Sequence, residues 1–394
     1  MPNTLRRPRW QTDWPIMLPA VALMLLATQA TGWAQDIDGE ARRATVAEAV
    51  KTAMDQHEVP GVSIAVVSDG KIDWADGFGV VRAGGDQPVT PETRFQAASI
   101  SKPVAALAAL RTVELRKLSL DEDVNARLTS WRIPSSPLMN GNPVTLRRLL
   151  SHSAGLTVHG FGGYATNMEV PTLVQVLSGA PPANSAPVKL LVKPGYMFKY
   201  SGGGYTVVQQ LLIDVTGVPF PDYMRQMVLD PLEMEHSTYE QPLPAELAAQ
   251  AAVGHRPNKA PVAGGWHVYP EMAAAGLWTT PSDLARVVVE VISTANGQPG
   301  KILSPGMVAE MLKEQSGKTV TYGLGFSVFG SERTFRFSHG GSNEGYRCML
   351  IGLPATGQGV VIMTNSDTGG ALLQQLVPIV GKTYDWPTDK RTAG

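Results

Sequence analysis

Apolar positions recur at helical intervals over residues 40–58, and then alternate with polar ones over residues 62–67 and 72–80. This predicts a helix followed by a hairpin turned at Ser68-Asp69-Gly70, because Asp-Gly suits the positive-φ positions of a tight turn. Leu107, Leu110, Val113 and Leu115 return to helical spacing and predict a helix over about 99–117. From Leu120 to about Pro270 the patterns are helical, broken by Pro and Gly, with few credible strands. Beyond Thr280, helices start at Pro281-Ser282-Asp283 and at Ser304-Pro305, as proline in a first turn suggests. Four strand-like runs follow, at 322–329, 333–338, 346–353 and 359–364, and then a last helix over about 370–382. No internal repeat is visible.

Strands at both ends of the chain with helices between them predict an α+β fold. One antiparallel sheet is built from both chain ends and flanked by helices, and a mostly helical lobe is inserted in it. The sheet lobe takes about residues 40–118 and 280–385 and the helical lobe about 119–279, within one domain spanning 36–394. The cleft between lobes is the natural site, and the segments 160–186 and 257–266 are placed to shape it.

Composition narrows the function classes. With 43% hydrophobic and 17% charged residues in 394, the chain has the make-up of a globular protein with a sizeable core. Its net charge of -1, without long runs of one sign, suggests neither nucleic acid nor an anionic membrane as partner. At the start, Arg6, Arg7 and Arg9 precede the apolar run 16–27 and the small residues around Gly32-Trp33-Ala34, which reads as a signal peptide over 1–35. The run is short for a bilayer span, so export to a bacterial periplasm or medium is expected, without a stable membrane anchor. The single cysteine, Cys348, forms no intrachain disulfide. The seven histidines show no His-Glu-x-x-His spacing, so neither a metal nor a cofactor is expected.

Candidate chemistry begins at Ser99-Ile100-Ser101-Lys102. A serine hydroxyl is a weak nucleophile at its free pKa and needs a proton acceptor within hydrogen-bond reach, and a lysine three residues on lies on the same helical face. Ser68-Asp69-Gly70-Lys71 has the same spacing, but there the hairpin turn leaves both side chains to solvent. The bland alternative for Ser99 is an ordinary helix cap. Tyr200, in the glycine-rich run before a helix expected near Thr206, is a second candidate base, since a neighbouring ammonium favours phenolate. Phe337-Ser338-His339-Gly340-Gly341-Ser342 reads as a strand end whose small residues let backbone N–H groups approach an oxyanion.

With these motifs in order, the chain resembles the serine hydrolases of the class C β-lactamase and penicillin-binding-protein type, with esterase and D-aminopeptidase relatives. Leu118-Ser119-Leu120-Asp121, Leu149-Leu150-Ser151-His152, Pro194-Gly195, Gly204-Tyr205, Gly276 to Leu284 and Tyr322 to Phe326 fall at the family's spacing too. The resemblance implies a β-lactamase/transpeptidase-like fold and an acyl-enzyme on Ser99. Lys102 and Tyr200 share the proton transfers, the backbone N–H groups of Ser99 and Ser342 form the oxyanion hole, and Gly202, His339, Gly340 and Gly341 line the substrate pocket.

Two departures bear on substrate. Where the family's lactamases carry Tyr-x-Asn this chain has Tyr200-Ser201-Gly202, and His339 stands where a lysine often begins the third motif. Losing an amide and a permanent cation weakens recognition of an anionic lactam, which favours esters or small amides. The alternatives are a β-lactamase or D,D-carboxypeptidase, and a non-catalytic binding protein on the same fold. The oligomeric state is left open. His152 reads as a structural histidine, Tyr205, Trp278 and Tyr322 as packing residues, with Trp278 also placed to line the cleft. His339-Gly340-Gly341 is no α/β-hydrolase loop, because the chain has no Gly-x-Ser-x-Gly elbow.

Overall fold

The computed structural model describes the backbone of residues 20–315 and 321–388, with side chains from residue 38 onward. The chain divides into residues 1–45 and residues 46–394. In the first unit the described backbone is helical from the start of α1 (Ala20–His57), and Arg42 pairs with Asp38 one turn back. Residues 1–19 of the expected leader lie outside the described residues. Among the described residues no helix is long and apolar enough to cross a membrane.

The second unit is built on a six-stranded sheet of β1 (Gly61–Ser68), β2 (Lys71–Gly79), β3 (Ser327–Phe329), β4 (Arg336–Asn343), β5 (Tyr346–Leu353) and β6 (Gln358–Thr364). The order is β2-β1-β6-β5-β4-β3, every pairing antiparallel, so both chain ends meet where Val62 faces Thr364. The period of two decides the packing: Val62, Ile64 and Val66 of β1 point into one core with residues 46–57 of α1 and with α5 (Gly369–Thr383), and Ala65 and Val67 into the other. The second core holds α2 (Ser101–Glu114), α4 (Pro281–Ala295) and the inserted helices, among them α3 (Gly202–Thr216). The central strands are therefore buried on both faces, which is why they read as almost unbroken apolar runs.

Four boundaries differ from the sequence pattern. The helix expected from Ser99 begins at Ser101, behind a single 3₁₀ turn, Ala98–Ile100, and Ser99 makes no cap hydrogen bond, which removes the cap reading. α3 begins at Gly202 rather than Thr206, because Ser201 Oγ caps it by accepting from the Gly204 N–H. The strand expected at 322–329 is a strand only from Ser327, since Tyr322 Oη and Gly323 N–H close a turn on Gly325 and Phe326. Similarly, the strand expected at 333–338 starts at Arg336 and runs through Gly340 and Gly341 to Asn343, so the glycines sit inside β4 and do not end it.

Candidate active site

Ser99 is carried between a short bridge and a helix. Phe95 and Gln96 pair with Thr279 and Trp278, the Ala97 N–H donates to Leu277 O at 2.8 Å, and the Leu277 N–H donates to Ser101 Oγ at 3.0 Å. Tyr239 Oη donates to Ser101 O, so both ends of the turn are tied to other elements. Ala98, just before the nucleophile, has φ of 49°, a conformation that costs a non-glycine residue about 1–2 kcal/mol. The tethers on either side hold it there.

β4 is pressed against this turn. A Cβ on Gly341 would stand 2.3 Å from Ala97 O and from Cys348 Sγ, so only glycine permits the approach, and Cys348 Sγ itself donates to Ala97 O. Gly340, Gly341 and Ser342 line a cavity of about 860 Å³ together with Ser99, Lys102 and Tyr200.

Lys102 Nζ lies 2.9 Å from Ser99 Oγ and donates to Ala274 O at 2.8 Å. The side chain is only 2% exposed, and burial lowers its pKa from 10.5 to about 7. Near neutral pH a good part of it is therefore free amine, able to take the serine proton. Tyr200 does not follow the expected direction: burial raises its phenol to about 12, and hydrogen bonding with Ser99 offsets only part of this. It remains a neutral phenol over the ordinary pH range, with Lys102 Nζ 5.1 Å from its ring centre.

The rings of His152, His159 and His339 surround this phenol. His152, placed outside the site by its sequence context, is 1% exposed and lies against Tyr200 at 4.1 Å between ring centres. Its carbonyl accepts from the Lys199 N–H and its Nδ1 from the Ser201 N–H, so it fixes the residues on both sides of Tyr200. Burial, then the charges of Lys102, His339 and His159, hold it well below the usual histidine range. His339 is also buried, and it does not line the cavity as expected. It sits 6.3 Å behind Tyr200 with Nδ1 2.7 Å from Gly340 O. Burial and the Lys102 charge take its pKa to about 3, so it is neutral and its Nδ1–H donates to that carbonyl.

Gly202 is likewise not a lining residue. Its N–H donates to His159 O, and a Cβ there would meet the Phe161 ring at 3.0 Å and His159 O at 3.1 Å. The space an asparagine would need is filled by the 159–161 segment, and His159 and Phe161 face the cavity instead, His159 4.9 Å from Tyr200. The sequence reading missed both, although the glycines at 160, 162 and 163 mark a backbone run free to fold over a site. Arg347 also lines the cavity, but its guanidinium is held by Asp367 at 3.0 Å and by two carbonyls. Trp278 is buried between Trp266 and Tyr346 and lines nothing, and residues 257–266 take no part in the cavity. Tyr205 and Tyr322 are packing residues, both fully buried. No cluster of three metal-ligating side chains occurs among the described residues.

A serine beside a buried lysine, between helices and a sheet made from both chain ends, is the arrangement of the serine hydrolases with the β-lactamase and penicillin-binding-protein fold. The chain belongs to the β-lactamase family, whose sequence pattern matches residues 46–378. It is 24% identical over 338 residues to Penicillin-binding protein 4 of Amycolatopsis lactamdurans, covering 82% of this chain and 84% of that one. It is 29% identical over 205 residues to an unguisins hydrolase of Aspergillus campestris, covering 49% of this chain and 35% of the other. In three dimensions it is similar to an octameric penicillin-binding protein homologue from Pyrococcus abyssi, with a TM-score of 0.70, 24% identity, and coverage of 86% of this chain and 78% of that one. It is equally similar to EstCE1, a hydrolase with promiscuous acyltransferase activity, with a TM-score of 0.70, 23% identity, and coverage of 87% and 99%.

Proposed function

We propose that this serine hydrolase acts on esters or small amides through a Ser99 acyl-enzyme. The observation that carries this reading is the 2.9 Å approach of a buried Lys102 amine, lowered to about 7, to Ser99 Oγ. In acylation the free amine takes the hydroxyl proton as Oγ adds to the carbonyl carbon. The tetrahedral oxyanion is met by the backbone N–H groups of Ser99 and Ser342, a pair in which losing one donor typically costs about 100- to 1,000-fold. The proton then passes from Lys102, with Tyr200 alongside, to the leaving atom, and the bond to it breaks. In deacylation the same pair accepts a proton from water as it adds to the ester carbon, and returns it to Ser99. Because Tyr200 stays protonated, Lys102 is the base and the phenol is the relay.

Esters are preferred over anionic lactams on three grounds. Gly202 offers no amide, His339 is buried and neutral, and the Arg347 charge is matched by Asp367. The family match and the penicillin-binding relative keep lactam or peptide hydrolysis as the second reading. Treatment with a fluorophosphonate and with penicillin, followed by peptide mapping, separates them. Label on Ser99 from the phosphonate alone, with ester turnover, is expected. Penicillin label with nitrocefin turnover and no ester turnover reverses the order, and no label or turnover with any activated ester indicates a binding protein. We also take residues 1–35 as an export leader, so the mature protein isolated from its source should begin near residue 36.

A further inference from the structure

Beside the cavity at Ser99, further along α5, lies a second hollow of about 790 Å³ that shares Met349, Val377 and Pro378 with it. Its sides are apolar, from Ile351, Phe329 and Trp386, and its rim carries Arg336, Lys382 and Asp385. The reason for the hollow is legible in β4. The residues at alternate positions on the side away from Phe337 and His339 are Arg336, Ser338, Gly340 and Ser342, and three of these four have almost no side chain. α5 packs over β5 and β6, and the small residues of β4 are covered in part by the flexible Met349 side chain, whose Cε reaches Gly340. Pro378 stands at the junction, inside α5, where its missing N–H leaves the Gln374 carbonyl without its helical partner.

An apolar trough that opens into a nucleophile's cavity is wetted when empty and gains by taking hydrocarbon from the molecule under attack. The leaving atom has to reach Lys102 and Tyr200 for its proton, so its substituent lies on the wall of His159 and Phe161. The trough departs from the other wall, at Met349, Val377 and Pro378. We infer that it holds the acyl chain of the substrate, so that the protein is a hydrolase of medium- to long-chain acyl esters. This rests on the ester reading above.

The test is a p-nitrophenyl ester series from acetate to decanoate, below micellar concentrations, on the full chain, paired with butyrate esters of alcohols of increasing length. Filling an apolar trough gives roughly two- to fourfold per methylene. The expected result is a kcat/KM that climbs from butyrate to decanoate, over six methylenes, by at least about 60-fold along the acyl series only. Phe329→Asp, at the far end and 43% exposed, should cut the decanoate-to-acetate ratio at least about tenfold, and Trp386→Ala should lower it as well. A flat or falling acyl series, or a climb only along the alcohol series, overturns the inference while leaving ester hydrolysis intact. Absence of any ester turnover or phosphonate labelling at Ser99 is the separate failure of the underlying reading.

Discussion

Replacing Lys102 by methionine should make the protein more stable while abolishing its chemistry. In the folded chain the amine drops from 10.5 to about 7 because it is buried, whereas in the unfolded chain it keeps its ordinary value. At ~1.36 kcal/mol per pH unit that difference amounts to ~5 kcal/mol, lost from folding stability as pH falls from about 10.5 through about 7, because the unfolded chain binds the extra proton. Methionine fills nearly the same volume with no ionisable group. It leaves Ala274 O without its partner and Ser99 Oγ without the amine, which costs about 1–3 kcal/mol. The net expectation at pH 7 is a gain of ~2–4 kcal/mol and a melting temperature several degrees higher. Urea titrations of both proteins at pH 6, 7 and 9.5 read this directly. The advantage of the variant should be largest at pH 6 and 7 and should shrink by pH 9.5 as the wild type recovers stability. Esterase turnover should fall at least about 1,000-fold. A variant less stable than the wild type at pH 7, or an advantage independent of pH, would refute the reasoning that the amine is held in a costly environment for its reactivity.

Other consequences are open to simple measurements. The kcat/KM for a neutral ester should rise through about pH 7 as Lys102 loses its proton and should stay level to pH 9, since Tyr200 ionises only near 12; a fall between pH 7.5 and 9 would assign the base elsewhere. His152→Ala removes the ring against Tyr200 and the acceptor for the Ser201 N–H, so it should cost about 2–3 kcal/mol in urea and lower kcat much more than it raises KM. Gly341→Ala should drive β4 from the nucleophile turn, with loss of phosphonate labelling and more than about 2 kcal/mol of stability; a variant labelled at the wild-type rate would contradict the close approach.

The parts of the site that could be read from sequence are those held together by local spacing. Ser99 and Lys102 are three residues apart on one turn, and the strand expected at 346–353 is β5 to the residue because Cys348 to Leu353 is an unbroken run of apolar residues and glycine. Glycine misled at two places. Gly340 and Gly341 read as the end of a strand, and Gly202 to Gly204 as a loop, yet the missing Cβ of Gly341 serves the approach of Ala97, and those of Gly202 and Gly203 the approach of residues 157–161. Such approaches depend on residues far along the chain and leave no periodic trace. The direction of the Tyr200 shift was missed for the same reason. The ammonium beside it was inferred from order along the sequence, but the burial that outweighs it comes from elements packed around it, including the His152 turn.

A sheet closed by its own two ends also constrains how the molecule comes into being. β1 has no neighbour on one side until β6 arrives, and Val62 meets Thr364 across some 300 residues of intervening chain. Pairing over such a separation is slow, because the loop entropy is spent before the contact is gained. During synthesis on the ribosome the run 62–67 waits as an apolar ribbon with one open edge, a state prone to self-association. The nucleophile turn, which leans on β4 and β5, takes its working shape only in the last stretch of translation, so a shortened chain lacking β4 to β6 should carry the complete Ser-x-x-Lys motif and remain chemically inert.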